Sequence, residues 1–165
     1  MHDAARKFCE QYKNDNYGFA LDIGGRDVNG HCRDLWSKME WTIIDNTPPE
    51  SENFAYLYAD AVTWEPDKFY DLVLCTEVFE HTPLWPAIIN TAHDALNTGG
   101  LFIVTCAGPG RPPHSAIDGA ELREDEYYRW LLPHELGITL RQAGFRCTTS
   151  YNPDAKDVYA YAVKC

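Results

Sequence analysis

Basic residues are scarce: 14 lysines and arginines face 25 aspartates and glutamates, for a formal net charge of −11 over 165 residues. Sequence-independent nucleic-acid binding needs cations that meet phosphates, and docking on anionic lipid needs the same charges, so this balance argues against both. Long apolar runs are missing too. No stretch of about 18 apolar residues occurs, the length a spanning helix needs. Residues 1–16 (MHDAARKFCEQYKNDN) carry no apolar block behind a basic start. The six cysteines, at 9, 32, 75, 106, 147 and 165, form no CxxC pair. A thiolate knuckle is therefore not expected, and no metal site is read from the sequence. Cys75 and Cys106 end apolar runs, where a thiol packs as a small hydrophobe. The expectation is a reduced, cytoplasmic protein.

A chain of 165 residues fits one domain. Gly and Pro punctuate it at 24–25, 48–49, 99–100, 108–113 and 153. Between these marks, short apolar runs predict strands at 19–23, 41–44, 55–58, 70–75 and 101–106, and alternation around an Asn-Pro-Asp turn predicts two more at 145–151 and 157–164. Helical spacing predicts helices at 4–13, at 84–96 and at 133–143, and Asn29 is placed to cap another running to about 38. Strands that are apolar throughout and alternate with helices imply a parallel sheet covered on both faces. The Asn-Pro-Asp link before the last strand is too short for a crossover, so the final two strands must pair antiparallel. The expected fold is α/β: a doubly wound, mostly parallel sheet with helices on both faces and a C-terminal antiparallel hairpin strand. The chain divides into an N-terminal helix (1–16), a core (17–106), a loop that walls a substrate site (107–130) and a C-terminal helix with its hairpin (131–165).

In an open α/β sheet, ligands bind beyond the carboxyl ends of the strands. The notable residues of this sequence fall there. The first strand ends in Asp22-Ile23-Gly24-Gly25, the second in Asp45, the third is followed by Asp60-Ala61, and the fourth ends in Cys75-Thr76-Glu77. Glycines allow close approach of backbone to ligand. A carboxylate on the neighbouring strand can accept hydrogen bonds from both hydroxyls of a ribose. Acidic and small tips in succession suit a nucleoside with a cationic part and suit a polyphosphate poorly. Asp27 would repel a pyrophosphate, and no GxGxxG is present.

The segments LDIGG, TIID, ADA, DLVLCTEVFEH and ALNTGGLFIVT together resemble the class I S-adenosylmethionine-dependent methyltransferases, small single-domain members of type 11 form. The resemblance spans about 17–106, and its most specific part is 73–81 with the turn at 97–100. It implies a Rossmann-like fold and S-adenosylmethionine as cofactor, leaving S-adenosylhomocysteine as product. It places Asp22, Gly24 and Gly25 by the methionine moiety, Asp45 on the ribose, Asp60 and Ala61 at the adenine edge, and Cys75, Thr76 and Glu77 along the cofactor. The family usually has further glycines two and four residues beyond the first. Arg26 and Val28 stand there, so Arg26 must turn its side chain away from the cofactor. His81, after the fourth strand, and His114, in the Gly- and Pro-rich 107–119 segment, are candidate general bases, with Asp118, Tyr127, Tyr128 and Arg129 able to close over the site. No Asn/Asp-Pro-Pro-aromatic signature follows the fourth strand, so a nucleic-acid acceptor is not expected and a small-molecule or tailoring acceptor is. The competing readings are a non-catalytic, partner-dependent module on the same fold and a nicotinamide-dependent oxidoreductase, for which Asp45 would serve equally.

Overall fold

The seven expected strands form one sheet, in the order β3-β2-β1-β4-β5-β7-β6. The computed structural model describes residues 2–16, 18–28, 30–49 and 55–165; the expected cap at Asn29 lies outside them. The strands are β1 (Gly18–Ile23), β2 (Met39–Asp45), β3 (Ala55–Tyr58), β4 (Tyr70–Thr76), β5 (Leu96–Ala107), β6 (Phe145–Asn152) and β7 (Asp157–Lys164). The helices are α1 (Asp3–Glu10), α2 (Trp85–Ala95) and α3 (Pro133–Gln142), with 3-10 turns at Arg33–Trp36 and Phe79–His81. Pairing is parallel from β3 through β5 and antiparallel for β5 with β7 and β7 with β6.

Strand alternation assigns the core side chains to two layers. On one face Leu21, Val73, Cys75, Phe102 and Val104 pack under Trp85 and Ile89 of α2 and Leu136 and Leu140 of α3. On the other, Ala20, Leu72, Leu74 and Ile103 pack under Phe8 and Cys9 of α1 and Trp36. The 107–130 segment has no regular element of its own and is tied internally. Glu126 accepts hydrogen bonds from Ser115 Oγ (2.8 Å) and the Ala116 and Arg123 N–H groups (both 3.0 Å).

Two expectations are corrected here. The helix expected at 29–38 is only the turn Arg33–Trp36 among the described residues. Cys32 and Trp36 point into the core while Arg33 turns inward to a carboxylate, so tertiary contacts override helical continuation. The 97–100 turn does stop α2, but no gap separates helix from strand. Leu96 already pairs with Tyr70 while Leu101 pairs with Leu72, so the intervening residues bulge out of the ladder. Gly99 permits this with φ +81°.

Candidate active site

The chain runs from β1 outward to β2 and β3, then returns to place β4 on the other side of β1. The crevice at that switch point is where such sheets bind ligands. A cleft of about 1070 Å³ opens there, lined by strand ends and by the 107–130 segment.

Its floor is the turn after β1. The Gly24 N–H donates to Ile44 O at 2.8 Å and holds the turn against β2. Gly24 has φ +69°, and a Cβ there would stand 2.3 Å from Val78 Cγ2. A Cβ on Gly25 would stand 2.6 Å from Asp22 Cγ. Neither position has room for a side chain.

Asp22 lies beneath this turn and lines the floor of the cleft. It is 4% exposed and accepts a hydrogen bond from Arg33 Nη1 at 2.5 Å. The same Nη1 donates to Gly25 O at 2.7 Å, so one guanidinium ties the strand end to the turn. Burial raises the Asp22 carboxyl to about 6, and the charge and hydrogen bond of Arg33 oppose that rise. Nothing in the local pattern around Arg33 announced this contact.

Asp45 and Asp60 stand on the cleft wall beyond β2 and β3. Asp45 accepts from Thr47 N–H at 2.9 Å through Oδ1 and from Arg26 N–H at 3.3 Å through Oδ2. The position of the missing second glycine thus contributes its backbone to the site. Asp60 Oδ1 accepts from Val62 N–H at 2.9 Å. Ala61 O accepts from Thr91 Oγ1 of α2 at 2.7 Å, which fixes the turn after β3.

The tip of β4 divides its three candidates. Thr76 and Glu77 line the cleft. Cys75 does not: alternation sends its side chain into the core beneath α2, where it is fully buried. Glu77 takes a left-handed φ of +59°, held by its N–H donating to Thr105 O at 2.8 Å and by Thr105 Oγ1 donating to its Oε1 at 2.9 Å. Its other oxygen faces two cations, His2 Nε2 at 3.4 Å and Arg111 Nη2 at 3.5 Å. Burial acts to raise the Glu77 carboxyl, but His2, Arg111 and Thr105 together bring it below its usual value. Buried Asp157 shares both cations, with His2 Nε2 at 3.0 Å and Arg111 Nη1 in a short ion pair. The sequence reading missed His2 and Arg111, because each meets its partners across the sheet.

Asp157 and Glu77 raise His2 to about 9, through hydrogen bonds first and charge second. A histidine raised on folding stabilises below its unfolded value, and that contribution disappears as pH climbs through the folded one. His2→Gln is therefore expected to lower the urea midpoint at about pH 6 and to have little effect at about pH 10. Equal loss at both pH values would show that His2 holds α1 by packing alone.

His81 and His114 meet on the far wall, ring centroids 4.9 Å apart and nearly perpendicular, with Tyr128 packed edge-on against both. Burial, then the neighbouring His114, lowers His81 to about 4. His114 Nδ1 lies 3.2 Å from Pro112 O. Between β4 and this pair sits Glu80, fully buried, whose Oε1 accepts from Ala107 N–H at 3.2 Å. Burial, then the charge of Glu77, pushes the Glu80 carboxyl well above the usual carboxylate range. Of the residues expected to close over the site, only Tyr128 packs on these histidines. Asp118 pairs with Arg123 at 2.8 Å and Arg129 with Glu135 at 2.6 Å.

Sheet order and switch-point cleft define a Rossmann-like α/β protein whose ligand space lies beyond its strand ends. A family model described as a methyltransferase domain matches residues 10–150, and the chain belongs to that family. It is 32% identical over 123 residues to the ubiquinone biosynthesis O-methyltransferase of Nitrosomonas europaea, covering 66% of this chain and 51% of that one. The chain thus spans about half the length of that relative. Among solved structures, the DhpI–SAH complex superposes with a TM-score of 0.73 at 18% identity, covering 98% of this chain and 83% of its own. The YcgJ protein of Bacillus subtilis gives 0.72 at 11% identity, covering 99% of each. The 1,6-didemethyltoxoflavin-N1-methyltransferase of Burkholderia thailandensis gives 0.70 at 16%, covering 98% of this chain and 77% of its own. These likenesses support the fold, and S-adenosylmethionine is the methyl donor of the family.

Proposed function

We propose that this chain is an S-adenosylmethionine-dependent methyltransferase acting on a small-molecule acceptor. The observation that carries the reading is the pair of carboxylates, Asp45 and Asp60, at successive strand tips on one wall of the cleft. Backbone N–H groups orient both, and each keeps further lone pairs to offer. Asp45 accepts from the ribose hydroxyls, and Asp60 with Ala61 meets the adenine edge. Gly24 and Gly25 let the backbone approach the amino-acid part, and the Arg33–Asp22 pair acts on that turn as a positioning contact.

When bound, the cofactor supplies an already activated methyl group on a sulfonium. The chain has to align the acceptor, exclude water and dispose of one proton. Alignment alone is worth several kcal/mol in well-oriented reactions, about 7–11 at the upper end. Thr76 and Glu77 border the space between the cofactor wall and the histidines. His81 and His114 face the acceptor and serve to activate it, while the 107–130 segment forms the outer wall. The printed names of relatives that methylate small molecules support this acceptor class.

Calorimetric titration with S-adenosylhomocysteine should give one site per chain with a Kd on the order of micromolar, about −8 kcal/mol, and NAD should give none. Binding of NAD alone would overturn the reading, and so would binding of neither.

A further inference from the structure

We propose that Glu80, His81 and His114 form a divalent transition-metal site at the acceptor end of the cleft, with zinc the best-matched ion. One ligand atom from each residue lies within 4.8 Å of the other two. Zinc–ligand bonds of about 2.0–2.1 Å set tetrahedral donors roughly 3.3 Å apart, so side-chain adjustments on the order of 1 Å within the trio close the set.

The second observation is unmet bonding. Glu80 Oε2 and His81 Nδ1 are both buried and have no hydrogen-bond partner. Glu80 is 0% exposed, and Oε1 already holds the Ala107 N–H. A buried polar atom without a partner is costly, and two of them fall in this cluster, one on a carboxylate with no exposed surface. A cation there satisfies both.

His114 is arranged to match. Its Nδ1, 3.2 Å from Pro112 O, has to be the protonated nitrogen to bond that carbonyl, which leaves the Nε2 lone pair free. A backbone carbonyl that fixes the tautomer in this way is the usual support of a metal-bound histidine. The second trio of the structure, His2, Glu77 and Asp157, is different in kind. Arg111 and His2 already supply its positive charge. Among the described residues no ion pair reaches Glu80.

Two imidazoles and one carboxylate with an open fourth position is a donor set that zinc uses catalytically. His81 and His114 line the cleft, so the open position faces the acceptor. An acceptor oxygen bound there would be acidified by the ion. That last step rests on the methyltransferase reading; the metal site itself does not. Cysteine spacing could not reveal the site, because its ligands come from a local Glu-His pair and a distant loop.

The test is titration of the chelator-stripped 165-residue chain with zinc by calorimetry and with cobalt(II) by visible absorption. The wild type should bind one ion per chain and give the intense spectrum of four-coordinate cobalt. His114→Ala and Glu80→Gln should each weaken binding by about 100-fold or more, the upper range for loss of a supporting group. S-adenosylhomocysteine affinity and thermal midpoint, measured on His114→Ala, check that the loop variant is folded. Cys165→Ser should bind metal as the wild type does. Absence of stoichiometric binding overturns the site, as does equal binding by wild type, His114→Ala and His81→Ala. Metal binding without S-adenosylhomocysteine binding would instead retain the site and sink the methyltransferase reading.

Discussion

Arg33→Leu is expected to cost about 3–5 kcal/mol of stability, the usual penalty for leaving a buried charge unpaired. Asp22 and Arg33 are 4% and 5% exposed, and their contact is 2.5 Å. Leucine fills part of the space of the guanidinium stem but offers Asp22 no donor. The Gly25 carbonyl loses its partner at the same time. The double variant Arg33→Leu/Asp22→Asn should recover most of the loss, because a neutral amide carries no uncompensated charge. The loss has a pH signature as well. In the native protein burial lifts Asp22 to about 6 while Arg33 holds it down, so removing Arg33 lets it rise further. A carboxyl raised on folding is harder to ionise in the native state than in the unfolded chain. The single variant should therefore suffer more at pH 8 than near pH 5, at about those values, where Asp22 can keep its proton. Urea midpoints of the three proteins at the two pH values decide it. A loss of under about 1 kcal/mol that does not change with pH would mean the pair is not the lock of the turn.

The central strands were legible as apolar runs, because a strand buried on both faces leaves little room for polar residues, while the edge strand β6 (FRCTTSYN) was marked by its alternation and by the turn after it. Even β3, four residues long and largely exposed, was marked by its position between two loops. The tips of β1, β2, β3 and β4 followed from the same rule: a carboxylate directly after such a run sits at a strand end. What was not legible came from contacts between residues far apart in sequence. The turn at Arg33–Trp36 replaced a helix because Arg33 reaches Asp22 and Trp36 enters the core. His2 and Arg111 arrive at Glu77 from α1 and from the 107–130 segment, and neither lies in a motif. Cys75 was placed by its neighbours in the motif, yet alternation alone sends it into the core. Glu80 sits beside His81 in EVFEH, but only the fold shows its second oxygen buried and unmatched. Periodicity therefore reports which elements exist, while the partners of a buried charge have to be seen.

Asp45→Ala should weaken S-adenosylhomocysteine binding by about 100-fold or more while leaving the fold in place. A carboxylate that accepts from two ribose hydroxyls makes charge-assisted bonds worth roughly 1.5–3 kcal/mol each. Losing both predicts a change of about 3–6 kcal/mol, and tenfold in affinity corresponds to 1.4, so 100-fold is the low end. The structural cost is smaller. Asp45 accepts two backbone N–H groups in a part-buried setting, from Thr47 and Arg26. Water can replace the carboxylate at both, so a loss of about 1 kcal/mol is expected. Asp45→Asn separates the two effects. An amide keeps an acceptor for one N–H and the same volume, yet has one acceptor where the carboxylate has two, so stability should return further than affinity. Asp60→Ala should cost less affinity than Asp45→Ala, because an adenine edge offers a single amino group to that carboxylate. The ordering matters more than any single value. Affinity falling furthest at Asp45, less at Asp60 and not at all at exposed Asp154 would follow the strand tips across the cleft. Equal small losses at all three would mean that the acidic wall acts through its general field and that the ribose is held elsewhere.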